Sequence, residues 1–196
     1  MIVVDCETTG LYPETHSIAS IGAVDFSNPS NQFYKECRIW KEAEVDEKAL
    51  VINGFTKQGL YSTSKLSLEK TIKQFLEWTS SIRDITLAGE NPSFDRDFLM
   101  NSCARYNIKW LFGYRTRDLH TTSSDHHNRV GNPIPLLKNR TNIDLDFTLQ
   151  YVGLPPEPKP HHALTGAKLE AEAFSRLLYR KPLFKEYFEI SLPDYI

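Results

Sequence analysis

The chain has 196 residues, 40% of them hydrophobic, and a formal net charge of −2 from 23 basic and 25 acidic side chains. That length suits one compact domain with a sizeable core, and the composition excludes a disordered or membrane-resident chain. The charge balance excludes a protein that coats long stretches of nucleic acid with a basic face, but not one that grips a single strand end, where carboxylate-held cations would supply positive charge locally.

In chain order, MIVVD reaches a charge too early for a signal peptide or a spanning helix, which points to a cytoplasmic protein without a membrane partner. Cys6, Cys37 and Cys103 are odd in number and scattered, so they form neither a disulfide framework nor a CxxC metal site. Ile2-Val3-Val4 is a buried strand running into the polar stretch DCETTG. Ser17 to Phe26 and Asn31 to Trp40 read as second and third strands, paired antiparallel with the first through short connections. From Ser67 the period changes: Leu68, Ile72, Phe75, Leu76 and Thr79 recur at helical spacing. A short strand at Ile85 to Ala88, a helix from Phe94 to Tyr106 and a strand within Tyr114 to Leu119 follow. DHHN, at Asp125 to Asn128, reads as a polar loop without metal partners. Asn142 is positioned to cap a helix to Tyr151, and Gly153 with PPEPKP makes a stiff, extended loop before a last helix from Ala163 to Tyr179. Residues 1–180 are expected to form a single domain, with 181–196 as an extension packed on it; its KEYFEISLPDYI segment reads as either a docking strand or a packed end.

Asp5 and Glu7 are one residue apart on a strand, so both carboxylates emerge on the same face. Such a pair suits a hard divalent cation with oxygen ligands. A solvated strand-to-turn junction can also contain it. The flanking DCETTGL resembles the first motif, Asp-x-Glu-Thr-x-Gly, of the DnaQ-like 3′-5′ exonucleases. AGENPSFDRDFL is similar to the second, Asn-x-x-Phe-Asp, through Asn91, Phe94 and Asp95, and KPHHALTGAKLEAEAF is similar to the third, His-x-Ala-Leu-x-Asp-Ala, through His161, Ala163, Leu164 and Ala167. The departure is Gly166, which stands where the family has its fourth acid. VDEKALVINGFT and DFTLQYVGL add weaker likenesses, so the resemblance spans nearly the whole chain.

The resemblance implies an α/β, ribonuclease H-like fold: a mixed five-stranded sheet, its first three strands antiparallel, flanked by helices. It implies two divalent cations, Mg²⁺ or Mn²⁺, held by Asp5, Glu7 and Asp95, with His161 as general base. Thr8, Thr9, Leu11, Asn91 and Phe94 are then the nucleotide-binding residues, with Gly10 allowing close backbone approach. For the missing acid, helical geometry favours Glu170: residues four apart stack, side chains lean toward the N-terminus, and Glu170 can reach back over position 166, whereas Glu172 points away. Asp97, about 200° around its helix from Asp95, is left to solvent. The implied activity is release of nucleoside 5′-monophosphates from the 3′ end of single-stranded DNA or RNA, since no motif encodes 2′-hydroxyl recognition. The alternative that Gly166 raises is a catalytically weakened module that binds nucleic-acid ends. No segment indicates a polymerase partner or an oligomeric state.

Overall fold

The computed structural model describes residues 1–196. The chain begins with β1 (Ile2–Thr8), β2 (Ile18–Asp25) and β3 (Gln32–Arg38), followed by short helices α1 (Glu47–Asn53) and α2 (Lys57–Leu60). Then come β4 (Leu66–Ser67), α3 (Leu68–Thr79), β5 (Leu87–Gly89), α4 (Ser93–Arg105), β6 (Arg117–Asp118) and α5 (Leu119–Arg129). A small hairpin, β7 (Leu136–Leu137) and β8 (Arg140–Thr141), precedes α6 (Leu145–Tyr151) and the long α7 (Ala163–Tyr179). The main sheet has the order β4-β3-β2-β1-β5-β6, antiparallel across β3-β2-β1 and parallel elsewhere.

The sheet therefore has six strands where periodicity suggested five. The additional strand, β4, is two residues long and pairs with the end of β3, too short to show any alternation. Its Ser67 also caps α3, accepting the Lys70 amide through its hydroxyl at 3.4 Å.

Strand alternation divides the core. Ile2, Val4 and Cys6 face one layer with Phe75 of α3 and Phe98 of α4, whereas Met1 and Val3 face the other with Ala167, Ala171 and Phe174 of α7. The α7 face of β1 is thus apolar at residues 1 and 3 and acidic at residues 5 and 7. Close approach of α7 to the sheet depends on Gly22 of β2: a Cβ there would stand 2.1 Å from the Ala163 carbonyl carbon at the start of α7.

Asp125 to Asn128, expected as a loop, lies inside α5. The start of α5 is capped by Asp118, whose Oδ1 accepts from the His120 amide at 3.0 Å. The polar look of the segment misleads because its histidines turn inward: His127 stacks on Tyr151 at 3.8 Å between ring centroids, and His126 Nδ1 lies 2.9 Å from the Tyr151 hydroxyl. Helix α6 likewise starts later than expected, capped by Asp144, whose Oδ1 accepts from Phe147 N, rather than by Asn142.

Residues 183–190 are tied to α7 by a buried ion pair. Glu172 Oε1 accepts from Arg176 Nε at 2.8 Å, and its Oε2 accepts from the Leu183 and Phe184 amides. Arg176 in turn donates to the carbonyls of Val152, Tyr187 and Ile190, and Ile196 is buried. No helix is long and apolar enough to cross a membrane. Arg176→Met leaves Glu172 buried without its cation and is expected to cost about 3–5 kcal/mol in urea unfolding, with part recovered in the Glu172→Gln/Arg176→Met double variant.

Candidate active site

The acidic end of β1 lies beneath α7. After Glu7 the pairing with β2 shifts register, with Thr8 paired to Ile18 and the Thr9 amide donating to the Ser17 carbonyl, and Thr8, Gly10 and Leu11 border a cavity of about 390 Å³. Asp5, Glu7, Glu157, His161 and Glu170 line it, with Leu11, Ile52 and Phe94 as apolar surface. Asp95, in the first turn of α4, is fixed against the pair by its Oδ1, which accepts the Cys6 amide at 2.9 Å. That amide belongs to the residue between the two β1 acids, so α4 is registered directly on them.

Two glycines govern the opposite wall. Asp5 pairs with Gly22 in the sheet, and a Cβ on Gly166 of α7 would stand 2.1 Å from Asp5 Oδ2 and 3.2 Å from Glu157 Oε1. No empty place is left at 166 for another side chain to reach. Glu170 does come to the site from one turn further along α7, yet it lies on another side: its Oε2 is 3.0 Å from where a Gly89 Cβ would be, at the end of β5. Besides Asp5 itself, the carboxylate beside position 166 is Glu157, from the loop between α6 and α7.

That loop is pinned at two points. The Glu157 amide donates to Asp146 Oδ1 at 3.0 Å, and the His161 amide donates to the Ile52 carbonyl at 2.9 Å. Between these pins, His161 Nδ1 sits 3.3 Å from Glu157 Oε2. Helix α1 also braces the turn after β1, since Asn53 Nδ2 donates to the Thr8 carbonyl at 3.0 Å.

None of the five acids forms an ion pair with lysine or arginine. Glu157 Oε1 and Glu170 Oε2 are buried without any hydrogen-bond partner. Burial, followed by the charge of Glu7 and then of Glu157, holds the Asp5 carboxyl well above its usual range. Burial and then Asp5 do the same to Asp95 and to Glu170, with Asp95 adding to Glu170. Glu7 is pushed to about 7 by burial, Glu157 and Asp95, and Glu157 to about 7 by burial and Asp146. Orphaned carboxylate oxygens among like charges are what a hard divalent cation satisfies, so this donor set fits such an ion. Burial lowers the pKa of His161, which keeps its imidazole neutral near pH 7.

Of the residues expected from the motifs, Asp5, Glu7, Thr8, Leu11, Phe94, His161 and Glu170 reach the cavity, and Asp95 borders it through Cys6. Thr9 does not: its side chain is buried, donating to the Glu44 carbonyl and accepting the Ser17 amide, so it ties down the loop from behind. Asn91 is exposed, with a φ of 50°, its Oδ1 accepting from Ser93 and its amide donating to Asp118, so it shapes the turn into α4. Asp97 pairs with Arg96 on the far side of α4. Sequence reasoning missed Glu157, whose only signal was an acid set among prolines four residues before the histidine, and missed the apolar contribution of Ala49 and Ile52 on α1.

Comparison with known proteins aligns residues 1–178 with the family described as 3′-5′ exoribonuclease Rv2179c-like domain. Among curated proteins, the chain is 29% identical over 177 residues to DNA polymerase III PolC-type from Thermotoga maritima, and 28% identical to its counterpart from Thermotoga petrophila. The match covers 90% of this chain but spans only 12% of the length of those relatives. Among solved structures, the nuclease domain of 3′hExo, a DEDDh family member bound to rAMP, superposes with a TM-score of 0.66 at 16% identity, covering 100% of this chain and 96% of that one. Cell-death related nuclease 4 gives 0.71 at 15% identity over 97% of this chain and 65% of that one. Escherichia coli Exonuclease I in complex with an oligonucleotide gives 0.68 at 16% identity, over 91% of this chain and 40% of that one. At these identities the structural likeness is one of fold, and that fold is ribonuclease H-like.

The raised acids make stability depend on pH with a definite sign. A carboxyl whose folded pKa lies above its unfolded value contributes stability that is complete below the ordinary carboxylate range and is lost as pH rises through the folded value. With Glu7 and Glu157 both near 7, the melting temperature in chelator is expected to fall between pH 5 and pH 8. Added Mn²⁺ is expected to raise it far more at pH 8 than at pH 5, which differential scanning fluorimetry reads directly.

Proposed function

The chain belongs to the Rv2179c-like 3′-5′ exoribonuclease domain family, within the DnaQ-like exonucleases, and from that membership we propose that it is a metal-dependent exonuclease that removes nucleoside 5′-monophosphates from the 3′ end of single-stranded nucleic acid. The observation that carries this reading is the convergence of Asp5, Glu7, Asp95 and Glu170 with a neutral histidine, His161, at one cavity with an apolar mouth.

In this reading those four acids hold two divalent cations, Mg²⁺ or Mn²⁺. When bound, such ions supply a more acidic water and offset charge on the scissile phosphate and the departing 3′ oxygen. His161 takes the water's proton. Its Nδ1 faces Glu157, which leaves Nε2 as the accepting nitrogen, and its lowered pKa keeps that nitrogen free at neutral pH. The tether of its backbone to Ile52 fixes where the ring stands. Exposed Leu11 and half-buried Phe94, itself packed on Phe98 at 4.9 Å, offer the terminal base two apolar surfaces. Contacts of this kind are worth about 1–3 kcal/mol per base and accept any base.

The family description names ribonuclease action and the PolC-type relatives carry the name of a DNA polymerase, so the test uses both nucleic acids. With 5′-labelled single-stranded DNA and RNA and Mn²⁺, stepwise shortening from the 3′ end is expected. His161→Ala should slow it about 10²–10⁴-fold, and Phe94→Ala should raise KM more than it lowers kcat. Retention of the strands on a gel without any shortening would replace this reading with that of an end-binding module.

A further inference from the structure

The geometry points to Glu157 as the acid that stands in for the carboxylate missing at Gly166: it completes, with Asp5 and Glu7, the ligand set of the cation on the His161 side of the site. This rests on the exonuclease reading only for the purpose of the ion, since the donor arrangement is a property of the chain itself.

Three observations carry it. First, position: the three heavy atoms nearest to a Cβ built on Gly166 are Asp5 Oδ2, Asp5 Cγ and Glu157 Oε1, the last at 3.2 Å. The Asp5 carboxylate therefore fills the space into which a side chain at 166 would start, the Glu157 carboxylate borders that same space, and no atom of Glu170 is nearer. Second, Oε1 is an orphan: it is buried without a hydrogen-bond partner, on a residue only 8% exposed. An unpaired carboxylate oxygen shut away from water costs free energy unless a cation meets it. Third, grouping: Glu7, Glu157 and His161 each present a ligand atom within 4.8 Å of the others.

The two glutamates are thereby sorted. Glu157 neighbours Glu7, whereas Glu170 lies deep beside Asp5 and Asp95, with its orphaned Oε2 at the end of β5. One extra acid falls on each side of Asp5. The second oxygen of Glu157, Oε2, faces His161 Nδ1 at 3.3 Å, so the same carboxylate would also orient the base.

The test is Mn²⁺ binding to the intact protein by isothermal titration calorimetry and by electron paramagnetic resonance of the free ion, comparing the parent with Glu157→Gln and Glu157→Asp. Loss of an outer-shell partner alone weakens metal binding about 10–100-fold, so removing a direct ligand is expected to weaken one of the two Mn²⁺ sites at least tenfold. Glu157→Asp, one methylene short, should fall between. Thermal unfolding in chelator monitors folding, and Glu157→Gln should be no less stable there, because it removes a buried like charge. Parent-like affinity and stoichiometry in folded Glu157→Gln would overturn the assignment; if that variant does not fold, parent-like binding by Glu157→Asp would overturn it instead. Failure of the exonuclease reading looks different: the parent would bind Mn²⁺, and Glu157→Gln would weaken it, without any strand being shortened.

Discussion

Helix α7 lies so low on the sheet that its first residues meet the backbone of β2 at Gly22, and one turn on, at Gly166, it sits directly on the carboxylate of Asp5. Gly22 permits the contact from below and Gly166 from above, and a methyl group at either position would overlap its neighbour at about 2 Å. Most of the site follows from this contact. A side chain cannot leave α7 toward Asp5 at residue 166, so carboxylates arrive from one turn further along the helix, at Glu170, and from the loop that precedes it, at Glu157. The acids surround Asp5 instead of facing it from one wall.

So much charge can gather because neutral packing supports it on every other side. The same strand that bears Asp5 and Glu7 buries Ile2, Val3 and Val4 completely, and the helix that bears Glu170 also bears the buried Glu172–Arg176 pair. These two buried clusters on α7 behave differently. Glu172 has a guanidinium and two amides, so its charge is satisfied within the protein; Glu170 and Glu157 have orphaned oxygens and no cationic partner. The satisfied pair secures the end of the chain, and the unsatisfied acids are kept ready for something from outside.

Regular elements with a clear period were legible in the sequence. The last helix runs from Ala163 to Tyr179 as its pattern indicates, the second and third strands lie within a residue or two of expectation, and the first starts at Ile2 as read but runs on through the acidic pair to Thr8. What escaped was decided by tertiary contact. Helix α5 reads as polar because the partners that bury His126 and His127 lie about 25 residues away, at Tyr151. Thr9 and Asn91 share a motif with residues that reach the cavity, but local hydrogen bonds turn them to other work. Glu157 could not be found by periodicity, since a loop has none. Even Gly166, conspicuous as a departure, disclosed its meaning only with the distance to Asp5, which depends on how low the helix sits.

The loop from Pro155 to Pro160 carries both Glu157 and the approach to His161, and four of its six residues are proline. A side chain on a helix inherits its position from the backbone hydrogen bonds of that helix; one on a loop has no such ladder. Proline rings restrict the unfolded chain as much as the folded one, so this segment surrenders little conformational freedom when it is pinned at Asp146 and Ile52. Part of the order needed beside Asp5 is therefore already present in the denatured ensemble, written into the covalent stiffness of a stretch that carries no regular structure at all.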